Sequence, residues 1–163
     1  MDYAIFDVDK TLIKNDCLLL AAKLSNKRIY LLLKIVVFIP YYFLFLIRAI
    51  NAKKLKEIFL RNFNICSLFN DEKKILIQKK YNEELIKSIR KEALDRLNFH
   101  KMRGDKVILC SASPNMLLEP LAKYLNTDLL STKLNKIDSK WSPKIIGSNC
   151  NGLEKVKILE KKQ

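Results

Sequence analysis

Apolar residues along this chain fall into three kinds of pattern, and each predicts a different element. Two short runs, Ala4-Ile5-Phe6 leading to Asp7 and Val107-Ile108-Leu109-Cys110 leading to Ser111, are of strand type and end on polar residues. Bounded runs of that length read as strands. From Ile29 to Ile47 the chain is apolar at almost every position, with Lys34 the one charge and Pro40 near the middle. That stretch is close to the ~20 residues of a bilayer-spanning helix and lacks the wide polar stripe of a helix lying on a soluble core. The third pattern is helical spacing: Leu55, Ile58, Phe59, Phe63, Cys66 and Phe69, then, after a capping Asn70-Asp71, Ile75, Leu76, Leu85, Ile86, Ile89 and Leu97. These positions predict amphipathic helices, the last closed by Gly104 within Met102-Arg103-Gly104-Asp105. Ser113-Pro114 predicts the start of a helix running to about Leu125, with Ser113 as its N-cap.

Composition narrows the picture. A length of 163 residues suits one domain with a modest core, or a small domain carrying an insertion, and no internal repeat is visible. Three Gly and four Pro leave little room for flexible linkers. Cys17, Cys66, Cys110 and Cys150 have no Cys-x-x-Cys spacing, and no cleavable signal sequence precedes the first strand, so a reduced cytoplasmic setting is expected, without zinc or disulfides. The formal charge of +14 is spread over every segment without an interleaved aromatic surface, which argues against nucleic acid. An anionic membrane surface or a phosphorylated substrate accounts for the same charge.

Asp7 and Asp9 carry the candidate chemistry. Side chains two apart on a strand point the same way, and two carboxylates that close repel unless a cation neutralises them or their pKa values split. Alone, the pair could equally end the strand and cap the following turn. The run Phe6-Asp7-Val8-Asp9-Lys10-Thr11, the strand ending in Ser111-Ala112-Ser113-Pro114, and Asn149-Cys150-Asn151-Gly152-Leu153-Glu154-Lys155 appear in order over nearly the whole chain. Together they resemble the first three motifs of the haloacid dehalogenase superfamily, in its phosphoserine-phosphatase-like branch.

The resemblance implies an α/β fold: a Rossmann-like core from residues 1–15 and 100–163, with an all-helical cap, residues 16–99, inserted after the first motif. It also implies Mg²⁺-dependent hydrolysis of a phosphate monoester. Asp7 would be the nucleophile that forms an aspartyl-phosphate, Asp9 the acid for the leaving oxygen and then the base for water, and Asp7 and Asp9 the metal ligands, the latter through its backbone carbonyl. Ser111 and Lys155 would hold the phosphoryl oxygens. Thr11 is expected to orient Asp9 or cap the turn, Asp16 to cap the first cap helix, and His100 to be structural. The family continues to an acidic fourth motif, whereas this chain ends at Gln163; the core is therefore expected to be incomplete at its C-terminus, from truncation, a separate completing polypeptide, or degeneration to a non-catalytic phosphate-binding protein.

The apolar segment, residues 29–50, resembles that of membrane-associated, phosphatidylglycerophosphatase C-type members of the branch. If the strands bearing Asp7 and Ser111 share a sheet, the chain must leave and return on one side of a membrane. Both flanks are basic, with Lys23, Lys27 and Arg28 before and Arg48, Lys53, Lys54 and Lys56 after, and Pro40 should kink or break a helix. A helical hairpin at the cytoplasmic face of the inner or plasma membrane satisfies these facts, as does a greasy helix pair buried in a soluble cytoplasmic cap. The expected partner is thus a phosphorylated small molecule or lipid, at a membrane surface, with the oligomeric state open.

Overall fold

The computed structural model describes residues 2–147, 149 and 150. Strand β1 (Tyr3–Asp7) pairs in parallel with β2 (Lys106–Pro114), and β2 in turn with β3 (Asp128–Thr132), giving the order β1-β2-β3. The register sets Asp7 beside Cys110, so Ser111 stands one residue beyond the pair at the same sheet end. Central strands of a parallel sheet are covered on both faces. Accordingly Val107 and Leu109 join the main core while Ile108 and Cys110 pack with Leu130 and Cys150 on the other side. Helix α7 (Asn115–Tyr124) makes the crossover from β2 to β3 and buries Leu117, Leu118 and Leu121.

All the remaining helices lie between β1 and β2: α1 (Cys17–Ser25), α2 (Arg28–Leu46), α3 (Ala52–Asn62), α4 (Ser67–Asn70), α5 (Ile75–Lys87) and α6 (Lys91–Met102). The spacing from Leu55 to Phe69 resolves into α3 and α4, separated where Asn64 takes a φ of 54°. Leu60, Tyr81, Leu85 and Leu97 are buried, but Ile75 and Leu76 point into solvent. The Tyr81 hydroxyl donates to the Leu117 carbonyl and ties α5 to α7. The two connectors of this helical insertion are paired with each other. Lys14 donates to the Ser88 carbonyl, Arg90 donates to the Leu12 carbonyl, and Ile13 faces Ile89 in an antiparallel bridge.

Helix α2 is one continuous helix through Pro40, and none of its residues is buried. The break expected at Pro40 is therefore corrected. Proline removes the bond to the Val36 carbonyl and crowds that oxygen, together a cost of about 3 kcal/mol that a 19-residue helix absorbs. The chain turns back at residues 47–51 instead, and α3 returns along α2. Nor is α2 a buried core helix: Leu31 and Phe38 pack on the core, while Val36, Ile39 and Phe43 stay exposed. Lys34, the one charge between Ile29 and Ile47, is turned inward. The Lys34 ammonium donates to Asn26 Oδ1 at 2.6 Å, and Asn62 Nδ2 donates to the Lys34 carbonyl at 2.8 Å.

A hairpin of β4 (Leu134–Ile137) and β5 (Lys140–Ile145) follows β3 and braces the helical insertion. Asn70 makes paired bonds to the Trp141 backbone at 2.7 and 2.8 Å, Glu57 accepts from Ile145 N–H at 3.0 Å, and Lys53 donates to the Gly147 carbonyl at 2.7 Å.

Candidate active site

Strand β1 ends at Asp7, so strand alternation does not place Asp9 as the sequence pattern suggests. A tight turn does: Thr11 and Ile13 N–H both donate to the Val8 carbonyl, Leu12 N–H donates to the Asp7 carbonyl, and Lys10 sits at a φ of 60°. Val8 and Leu12 are fully buried and anchor this turn in the core, which leaves the Asp7 carboxylate exposed and that of Asp9 half-buried. Both lie in the crevice beyond the carboxyl ends of parallel strands, the usual ligand position of open α/β sheets.

Three donors fix the Asp9 carboxylate. Cys17 N–H reaches Oδ1, and the Ser111 and Ser113 hydroxyls both reach Oδ2, each at 2.8 Å. Ser113 is thus a site residue and not the expected N-cap of α7, where Pro114 stands without a side-chain cap. The Ser111 hydroxyl also accepts from Ser113 N–H at 2.9 Å, which locks the turn after β2. Thr11 acts on the other carboxylate: its hydroxyl donates to Asp7 Oδ2 at 2.9 Å, so its expected partnership with Asp9 is corrected. Asp16 caps α1 by accepting from Leu19 N–H, as expected, and His100 bonds Asp105 at 2.8 Å at the opposite end of β2 from the site.

Lys56 was not singled out by its sequence context. From α3 its ammonium donates to the Ala112 carbonyl, between Ser111 and Ser113, and to Asn149 Oδ1. Burial lowers its pKa to about 8, against the opposing pull of nearby anionic groups that include Asp9 and Asp16. Asn149 also accepts from the Thr132 hydroxyl at 2.9 Å, which itself accepts from Cys150 N–H at 3.1 Å, so the end of β3 positions the start of the third motif. Lys155, the expected phosphate-binding lysine, lies outside the described residues. The buried Cys17 thiol is held well above its usual pKa, first by desolvation and then by Asp9, which removes it as a nucleophile.

The donor set bears on a metal. Asp7 and the Asp9 carbonyl are hard oxygen donors at one sheet end, and Mg²⁺ takes few protein ligands and keeps several waters. Among the described residues no cluster of three or more metal-ligating side chains forms.

The family model of haloacid dehalogenase-like hydrolases matches residues 4–163. Among solved structures, a protein of unknown function from Bordetella pertussis Tohama I aligns with 99% of this chain and 74% of its own at 17% identity and a TM-score of 0.78. A phospho-aspartyl intermediate analogue of phosphoserine phosphatase aligns over 98% of this chain and 69% of its own, with 20% identity and a TM-score of 0.58. A probable phosphoserine phosphatase from Vibrio cholerae aligns over 98% of this chain and 45% of its own, with 16% identity and a TM-score of 0.68. No match is found among curated protein sequences. At such identities these likenesses establish the fold.

Proposed function

The chain belongs to the haloacid dehalogenase-like hydrolases, and we propose that it is a Mg²⁺-dependent phosphate monoester hydrolase working through an aspartyl-phosphate on Asp7. The observation that carries this reading is the meeting of an exposed Asp7, an oriented Asp9, two hydroxyls and the Lys56 ammonium at one end of the parallel sheet. Thr11 points the Asp7 carboxylate for attack on phosphorus. Asp9, steered by its three donors, delivers a proton to the leaving oxygen and afterwards takes one from water. When phosphate enters, Ser111 turns its hydroxyl from Asp9 to a phosphoryl oxygen, and Lys155 and Lys56 supply positive charge. Bound Mg²⁺, held by Asp7 and the Asp9 carbonyl, would add charge neutralisation at the phosphoryl group.

The reading extends to a membrane surface. β1 and β2 pair, so both ends of the helical insertion stay on one side of any bilayer. Helix α3 has 11 residues and several lysines, too short and too charged to cross back. Helix α2 would therefore lie along the lipid interface at the cytoplasmic face, exposed apolar face down and basic flanks against anionic headgroups. The test is phosphate release from p-nitrophenyl phosphate with and without Mg²⁺, for the wild type and Asp7→Asn, with borohydride trapping of the acyl-phosphate at residue 7. Asp7→Asn should lose several orders of magnitude. Phosphate binding without turnover in the wild type would favour the alternative, a non-catalytic, membrane-associated phosphate-binding protein.

A further inference from the structure

Beside the candidate site an apolar slot of about 340 Å³ opens between α1, α2 and α3. Its walls are Leu19, Phe38, Tyr42, Leu55 and Phe59, and its polar end is formed by Lys56 and Asn149 with the capping Asp16. Leu19, Phe38 and Phe59 also line a second cavity of about 840 Å³ that runs between α1 and α2 to Lys23 and Arg28. Phe38 holds this space open by stacking edge-on against Phe59 and Phe63, at 5.3 and 5.8 Å between ring centroids.

We propose that this slot is the binding site for the alkyl tail of the phosphate monoester, so that the substrate is an amphiphile with its phosphate at Lys56 and its tail between α1, α2 and α3. The proposal rests on the phosphatase reading for the head group and adds the class of the rest of the molecule. Two observations carry it. The slot is continuous with the site, because Lys56 lines it and also holds the carbonyl of Ala112, whose neighbours Ser111 and Ser113 bond Asp9. Its charge is also confined to one end: Lys56 stands there with Asp16, whose carboxylate is engaged by Leu19 N–H, and the walls beyond offer hydrocarbon and one tyrosine. A polar leaving group such as an amino acid would meet no partner along these walls and would be desolvated at a loss.

The experiment measures binding by calorimetry of butyl- and octylphosphonic acid, both below their micelle concentrations, together with turnover of the matching alkyl phosphates. Each methylene buried should tighten binding by up to about fourfold, so octyl should exceed butyl by at least tenfold. Ala52→Trp, which places an indole in the slot, should bring the octyl-to-butyl ratio towards one, and Leu55→Ala, which widens the slot, should change the ratio without that bulk. Equal binding of the two phosphonates overturns the proposal. So does an octyl preference that survives both substitutions, or a gain seen only when phosphatidic acid is presented in vesicles, since α2 would then act as a surface anchor alone. A graded binding series without turnover leaves the tail site standing and removes the phosphatase reading; turnover without a gradient does the reverse.

Discussion

Lys56→Met should weaken phosphate binding and alter how stability depends on pH more than it alters stability at neutral pH. The folded lysine titrates at about 8 because burial disfavours its charge, against a usual value of 10.5. Below pH 8 both states are protonated and the folded chain carries the whole desolvation penalty, on the order of 3 kcal/mol from a shift of that size. Between pH 8 and 10.5 the unfolded chain holds a proton that the folded one has released, so wild-type stability rises with pH across that window. Methionine keeps the packing volume and removes the titration, at the cost of two charge-assisted bonds to Ala112 and Asn149, about 1.5–3 kcal/mol each, which offsets the relief of desolvation at neutral pH. Urea denaturation from pH 7 to 10.5 should therefore show the variant losing about 2–3 kcal/mol relative to the wild type as pH rises. Wild-type kcat/KM should fall above pH 8 as the ammonium deprotonates, and the variant should be at least about tenfold slower at pH 7. Parallel stability curves for the two proteins would show that the ammonium is not desolvated and would refute the argument.

Ser113→Ala removes one of two hydroxyls on Asp9 Oδ2 and should lower kcat by about ten- to a hundredfold, through a bond worth about 1.5–3 kcal/mol, with KM little changed; a wild-type rate would return Ser113 to a capping role. Ile39→Asp with Phe43→Asp should release the protein from anionic vesicles in high salt without altering its melting temperature, because both residues are exposed, whereas Phe38→Asp should unfold the helical insertion through its contacts with Phe59 and Phe63. Sedimentation with vesicles and a thermal melt separate the two outcomes.

The sheet and its carboxylates were legible in the sequence because both strands read as plain apolar runs, β2 buried on both faces and β1 with Ile5 exposed, and Asp7 and Ser111 sit where those runs stop. The roles within the site were not. Whether Ser113 caps a helix or bonds Asp9, and whether Thr11 serves Asp7 or Asp9, depends on a turn whose geometry is set by the buried Val8 and Leu12. Lys56 is one lysine among many until α3 folds back over β2. The β4–β5 hairpin carries no glycine at its tip: Asp138 and Ser139 take φ values of 48° and 63° themselves, so the usual two-residue signal is missing. Helix α2 was found but its path was misjudged, since proline's lost bond is small beside a helix of that length.

The paired connectors at Leu12–Lys14 and Ser88–Arg90 have a mechanical consequence. Two separate tethers would let the helical insertion swivel, but two backbones bonded to each other act as one flat strap, soft to bending and stiff to torsion. Any admission of substrate by opening would have to part the bonds that Lys53, Glu57 and Asn70 make to the hairpin and the residues just after it, together with the Tyr81–Leu117 bond. At about 1 kcal/mol apiece, and with buried side chains of α1, α5 and α7 sharing one core beneath them, these bonds weight the equilibrium towards the closed form.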